Sequence, residues 1–218
     1  MPVRKVSNGG GNIIGKFPSI KMGRMIAFES LIERDFIYLL DYAAEVEWFE
    51  EQPLTIEYHH DGKVLHYTPD FHLIEEGQNV LVECKPEKFV LTVENQRKAA
   101  IASDWCKRHD WVYRVVTDEK IRKGFLLENV MLLTRYARQP VTLPMRRRIC
   151  EELSNHLGGE ISIGEVSSAI SPKNPTVSVT AIMAMAFHHE ITLFLEQAPI
   201  SSQTLISLPL STERGKEL

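Results

Sequence analysis

The sequence is poor in what a thiolate cage, a membrane anchor or a polyanion-coating shell would need. It has three cysteines, Cys84, Cys106 and Cys150, far apart and never as a CxxC pair, which excludes a cysteine zinc cage. An odd number of cysteines with no secretory leader fits a reducing cytosol. No apolar run approaches the roughly 20 residues that a membrane helix requires, so no membrane partner is expected. The formal net charge is −4 over 218 residues, so the chain as a whole is not an obvious polyanion binder. A hydrophobic content of 44% with 25% charged residues is that of an ordinary globular protein, long enough for one sizeable core or two small domains.

The charge is unevenly spread. Residues 1–24 hold Arg4, Lys5, Lys16, Lys21 and Arg24 and no acid, whereas residues 25–140 carry fourteen basic against twenty-one acidic residues. With Gly9-Gly10-Gly11 at its centre and little to bury, the stretch 1–24 reads as a flexible basic arm. Its five cations are candidate contacts for a phosphate backbone.

Periodicity predicts a helix over 28–42, then a strand at 46–49. Two strand-like runs, 54–60 and 63–68, flank Asp61-Gly62, a strong hairpin signal. Strands follow at 71–74 and 80–84, a long helix at 90–108, a strand at 111–116 and a helix at 125–138. This order predicts an α/β domain, a mixed sheet flanked by helices, over 25–140. Pro140 and Pro144 mark a boundary. Beyond it, helices at 146–157, 162–170 and 177–189 and two short strands at 191–196 and 204–208 predict a winged-helix domain over 141–218.

One strand carries chemistry. Along Val80-Leu81-Val82-Glu83-Cys84-Lys85, alternation puts Glu83 and Lys85 on one face. Asp70 follows Thr68-Pro69 at the start of the preceding strand, and the turn between the two strands is short, so antiparallel pairing brings Asp70 near Glu83. Carboxylates from adjacent strands suit magnesium, which prefers oxygen ligands. A neighbouring lysine suits phosphodiester hydrolysis, where it orients hydroxide or offsets developing charge. Glu33 falls on the apolar arc of the first helix, where a lone charge needs a partner and a metal would be one. Ser30-x-x-Glu33 is also a capping-box pattern, and closure of a helix start is the plainer role for Glu33.

In order, Ser30-Leu31-Ile32-Glu33-Arg34-Asp35-Phe36, Glu51-Gln52-Pro53-Leu54, Thr68-Pro69-Asp70-Phe71 and Val82-Glu83-Cys84-Lys85 resemble the TnsA transposon-end endonucleases, within the PD-(D/E)xK restriction-endonuclease-like nucleases. The resemblance spans about 25–140, and the winged-helix pattern extends it. It implies a restriction-endonuclease-like fold with Glu33, Asp70 and Glu83 as ligands of Mg2+ (Mn2+ substituting, two ions expected) and Lys85 as the catalytic lysine. Some members carry Gln where this chain has Glu83. The implied role is cleavage of double-stranded DNA at transposon 5′ ends in the bacterial cytoplasm. A TnsB-like transposase cuts the 3′ ends, so that the element is excised cut-and-paste, and a TnsC-like ATPase acts as regulator. A stand-alone restriction or repair nuclease of the same fold and a non-enzymatic winged-helix adaptor are the alternatives.

Gln52 and His72 are possible supporting residues, the first before Pro53 and the second two residues past Asp70. Trp48, Trp105 and Trp111 read as core rather than as base-stacking platforms. His188-His189-Glu190 is not a metal site, because adjacent histidines do not share a helix face. The helix at 177–189 has no Lys or Arg, and Arg146-Arg147-Arg148 is the basic cluster of its domain. Protein docking is therefore favoured there over sequence reading of DNA.

Overall fold

A computed structural model describes residues 13–156 and 159–209. It divides into two compact units, one ending at Lys123 and one beginning at Gly124.

The first unit begins with a hairpin of β1 (Gly15–Pro18) and β2 (Met25–Phe28), followed by α1 (Leu31–Tyr42) and β3 (Val46–Glu51). A second hairpin follows, β4 (Ile56–His60) and β5 (Lys63–Tyr67), turning at Asp61-Gly62 with φ of 48° and 71°. Two successive positive φ values match the twist of the strands, which is why an Asp-Gly pair closes this turn. Then come β6 (Phe71–Glu75), β7 (Gln78–Lys85), the single-turn α2 (Glu87–Val90), α3 (Val93–Arg108), β8 (Val112–Thr117) and α4 (Asp118–Ile121).

The four-stranded sheet has the order β3-β6-β7-β8, with β7 antiparallel to β6 and parallel to β8. The parallel step from β7 to β8 needs a crossover, and α3 supplies it. One sheet face meets α1, where Phe36 and Phe71 pack edge to face at 5.7 Å between ring centroids. The other buries Leu81 with Ile56, Tyr67, Ala102 and Cys106, flanked by Trp105 and Trp111. This mixed α/β unit fits a restriction-endonuclease-like fold.

Residues 13–24 differ from the expected arm. Their polar groups are consumed in holding the first hairpin to the unit. Lys21 donates to the carbonyls of Leu40 (2.7 Å), Ala43 and Val46 (2.6 Å), closing the C-terminal end of α1, where a cation meets the helix dipole. Arg24 grips Glu51 with two hydrogen bonds, at 2.9 and 2.7 Å. Neither is a free phosphate contact. Lys16 is exposed, and Arg4 and Lys5 lie outside the described residues.

The second unit holds α5 (Leu126–Thr134), α6 (Leu143–Asn155), β9 (Ile161–Ser162), α7 (Ile163–Ile170), α8 (Pro175–Phe187), β10 (Thr192–Leu193) and β11 (Leu205–Ser207), the strands in the order β10-β11-β9. The boundary falls at 123/124 rather than at 140/141. The reason is Asn129, buried on α5, whose amide donates to the carbonyls of Leu195 and Ala198 and accepts from the Ile200 N–H. Those bonds tie α5 to the loop between β10 and β11. From Ala181 to Phe187 every residue of α8 is buried, so this helix is a central pillar and not an exposed recognition helix. Arg146 pairs with Glu190 at 2.6 Å and Arg148 donates to the Ile170 carbonyl at 2.7 Å. Only Arg147 of the basic triplet remains without a described partner.

Among the described residues, no helix is long and apolar enough to cross a membrane.

Candidate active site

The end of β7, the start of β6 and the first turn of α1 open onto one cleft of about 820 Å3. Glu33, Asp70, Glu83 and Lys85 all line it, together with Tyr67, His66, Thr68, Phe89, Asn95 and Lys98.

Each site residue is placed by a local device. The register Phe71↔Val82 sets Asp70 opposite the end of β7, and its Oδ2 accepts the Cys84 N–H at 2.7 Å. Glu83 is 5% exposed, on the same strand face as Leu81 and Lys85. Its Oε1 meets the Lys85 ammonium at 2.6 Å, and its Oε2 accepts the Tyr67 O–H at 2.7 Å. Glu33 reaches the cleft from the α1 side of the sheet. There the cap alternative is realised. Ser30 Oγ accepts the Glu33 N–H at 3.2 Å and donates to Glu33 Oε1 at 2.9 Å, while Glu33 Oε2 accepts the Glu29 N–H at 2.7 Å. The same carboxylate therefore closes a helix start and faces the cleft.

The electrostatics of this cluster are unfavourable as it stands. Burial pushes the Asp70 carboxyl well above the usual carboxylate range, and Glu83 and Glu33 push it further, against the opposing pull of Lys85 and the Cys84 amide. Burial likewise raises Glu33, with Glu29 and Glu83 adding to the effect and its two cap hydrogen bonds opposing it. Burial would lower Lys85, but the charges of Glu83, Asp70 and Glu33 outweigh it and hold the ammonium protonated above its ordinary range. Three carboxylates share one lysine.

Such a donor set suits a hard divalent cation, being all oxygen, with no thiolate or imidazole in the trio. Among the described residues no three Asp, Glu, His or Cys side chains gather tightly enough to hold an ion as they stand. The physical cause is visible in the bonds above: Glu33 is turned back into its cap, and Glu83 is engaged on both oxygens. Asp70 and Glu83 fit the group, and Glu33 joins them only by leaving its cap.

Residues 43–118 match the TnsA-like endonuclease N-terminal family.

That match bears out the resemblance drawn from the four motifs and supports a transposon endonuclease-related role, in a family associated with transposase partners and DNA. It contains Asp70, Glu83 and Lys85 and stops short of Glu33. No curated protein matches the chain.

The two supporting candidates sit elsewhere. His72 is buried, stacked on Trp111 at 4.1 Å, edge-on to Trp48 at 5.3 Å, and its Nε2 is bonded to Asn79 Oδ1 at 2.9 Å. It faces the α3 side as Leu81 and Glu83 do, but its strand partner is Leu81, which sets it two residues along β7 from Glu83 and in an aromatic stack. Gln52 does not line the cleft. It follows β3 with a positive φ of 46°, and its N–H donates to the Asp70 carbonyl at 2.8 Å, so it fixes the backbone that carries Asp70.

Sequence reasoning missed Tyr67 and Tyr113. Their hydroxyls lie 3.2 Å apart behind Glu83, and burial first, then the neighbouring Glu83 charge, keeps both phenols neutral far above the physiological range. No linear signal links positions 67 and 113. The pairing Leu81↔Tyr113 between β7 and β8 brings them together.

Proposed function

We propose that the chain is a metal-dependent DNA endonuclease, the subunit of a heteromeric transposase that cuts the 5′ ends of a transposon. The observation that carries this reading is the convergence of Glu33, Asp70, Glu83 and Lys85 on one cleft within a unit whose 43–118 segment matches the TnsA-like family. Asp70 and Glu83 are the ligands of Mg2+ or Mn2+, and Glu33 completes the set once it leaves its cap. A bound divalent ion supplies Lewis acidity and lowers the pKa of a bound water. Lys85, held protonated beside Glu83, orients the attacking oxygen and offsets the negative charge that develops on the phosphate. Asn95 and Lys98 line the same cleft and give a scissile strand polar and cationic contacts.

The second unit has four helices, α5 to α8, and a small antiparallel sheet, and we read α6, α7, α8 and that sheet as a winged helix. We assign it to protein docking. Its candidate recognition helix is buried over Ala181–Phe187, and two of its three clustered arginines are committed within the unit. DNA targeting then falls to a TnsB-like transposase and to a TnsC-like ATPase.

A nicking assay on DNA bearing transposon ends, with Mg2+ or Mn2+ and with or without the transposase, tests this. Cleavage of the 5′ ends only in the presence of the transposase is expected. Efficient cleavage of plain DNA by the chain alone would establish the stand-alone nuclease instead, and no cleavage in any arm would establish the adaptor.

A further inference from the structure

Glu83 is held from behind by groups that no motif includes. Tyr67, 5% exposed at the end of β5, donates its O–H to Glu83 Oε2 at 2.7 Å. With that proton committed, the contact of 3.2 Å between the Tyr67 and Tyr113 oxygens has one direction: Tyr113 is the donor and Tyr67 the acceptor. The result is a chain, Tyr113 to Tyr67 to Glu83, running from β8 and β5 into the strand that carries the site. On the far side, Oε1 faces the Lys85 ammonium at 2.6 Å.

We propose that Tyr67, oriented by Tyr113, is the positioning residue of the cation site, fixing the Glu83 carboxylate so that Oε1 is the oxygen offered to an incoming divalent ion. The inference rests on the metal-dependent reading above. Its warrant is the division of labour between the two oxygens. One is tied to a neutral donor inside the core. The other meets a cation at the mouth of the cleft, the place a metal ion takes in competition with Lys85. A carboxylate with one anchored oxygen has its plane fixed. Without the anchor, its side-chain torsions are free to turn the ligand oxygen away. Hydrogen bonds of this kind behind metal ligands typically govern affinity by roughly ten- to a hundredfold.

The test compares the full chain with Tyr67→Phe and Tyr113→Phe by calorimetric titration with Mn2+ alone, each checked by thermal melting. In parallel, end cleavage with the transposase is followed against Mn2+ concentration. Tyr67→Phe is expected to weaken Mn2+ binding about tenfold and to raise the half-activating Mn2+ concentration by the same factor, with the rate at saturating Mn2+ changed only a few-fold. Tyr113→Phe, one link further back, is expected to weaken binding about two- to threefold, a smaller share of the same effect. A purely structural tyrosine would lower the melting temperature and leave the isotherm of the folded protein unchanged. An unchanged isotherm in Tyr67→Phe, with wild type binding Mn2+, overturns the positioning role and leaves the nuclease reading standing. Absence of Mn2+ binding in wild type overturns both.

Discussion

Two sets of buried acids in the first unit have opposite electrostatic fates. On one side stand Asp35, Asp41 and Glu51, each within 5% exposure and each matched by donors. Asp35 holds Arg34 at 2.6 Å and Arg122 at 2.8 Å. Asp41 accepts the Ser19 hydroxyl and the N–H groups of Ile20 and Lys21 at 3.0 Å. Glu51 takes Arg24 and the Ala27 N–H, and although burial alone would raise its carboxyl, these bonds hold it below the usual range. On the other side, Glu33, Asp70 and Glu83 share a single lysine, and Asp70 and Glu33 are pushed up instead. Acids that serve the fold are charge-matched. The acids of the cleft are left short of positive charge, which is the condition of a site that takes its cation from solution.

The comparison breaks most sharply on activity. Asp70→Ala and Lys85→Ala are each expected to lower 5′-end cleavage by about a thousandfold or more while still unfolding cooperatively in thermal melts, although Asp70→Ala also gives up the acceptor of the Cys84 N–H. Wild-type cleavage rates in Asp70→Ala would end the assignment. The matched set should behave the other way. Asp35→Ala leaves two guanidinium groups unpaired and is expected to cost about 2–3 kcal/mol, read as a fall in the denaturant midpoint. A change no larger than that of an average surface substitution would show that the charge matching is incidental.

A smaller effect sharpens the contrast by its sign. Because Asp70 has a raised carboxyl in the folded state, the folded chain holds that proton to a higher pH than the unfolded chain does. Ionisation above the ordinary aspartate range therefore costs stability, and the cost grows as pH rises toward the raised value. Asp70→Asn, whose side-chain oxygen still accepts the Cys84 N–H, is expected to stabilise the cation-free protein by about 1 kcal/mol near neutrality. The gain should shrink to nothing as pH falls to about 4, the ordinary aspartate range, in melts recorded across pH with chelator present. Destabilisation at pH 7 would contradict the picture of an under-neutralised cluster. The smallest effect is at the cleft wall. Lys98→Ala should weaken binding of end DNA only a few-fold and lessen the salt slope by about one unit, measured by anisotropy at several salt concentrations.

Much of this was written in the chain. Alternation along Val80–Lys85 put Glu83 and Lys85 on one face. Asp61-Gly62 closed a hairpin, and three helices after Pro140 lie close to where periodicity placed them, because side-chain period and turn chemistry act over a few residues. Thr68-Pro69-Asp70 and the motifs around it carried the resemblance to the family that residues 43–118 match. Other decisions depended on long-range partners that no local pattern encodes. Lys21 and Arg24 look like an arm's cations in sequence. They become fasteners only because α1 offers open carbonyls and β3 offers Glu51. His72 lies two residues past Asp70 on the same strand face, yet its pairing with Leu81 carries it along the sheet to Trp111 and away from the cleft. Asn129 drew the unit boundary through bonds to residues about seventy positions away. The sequence by itself determined which acids and which lysine could do the chemistry. Only the tertiary structure decided which charges were neutralised, because neutralisation depends on distance, and strand register set Tyr67 behind Glu83 while the same fold left three carboxylates facing one ammonium.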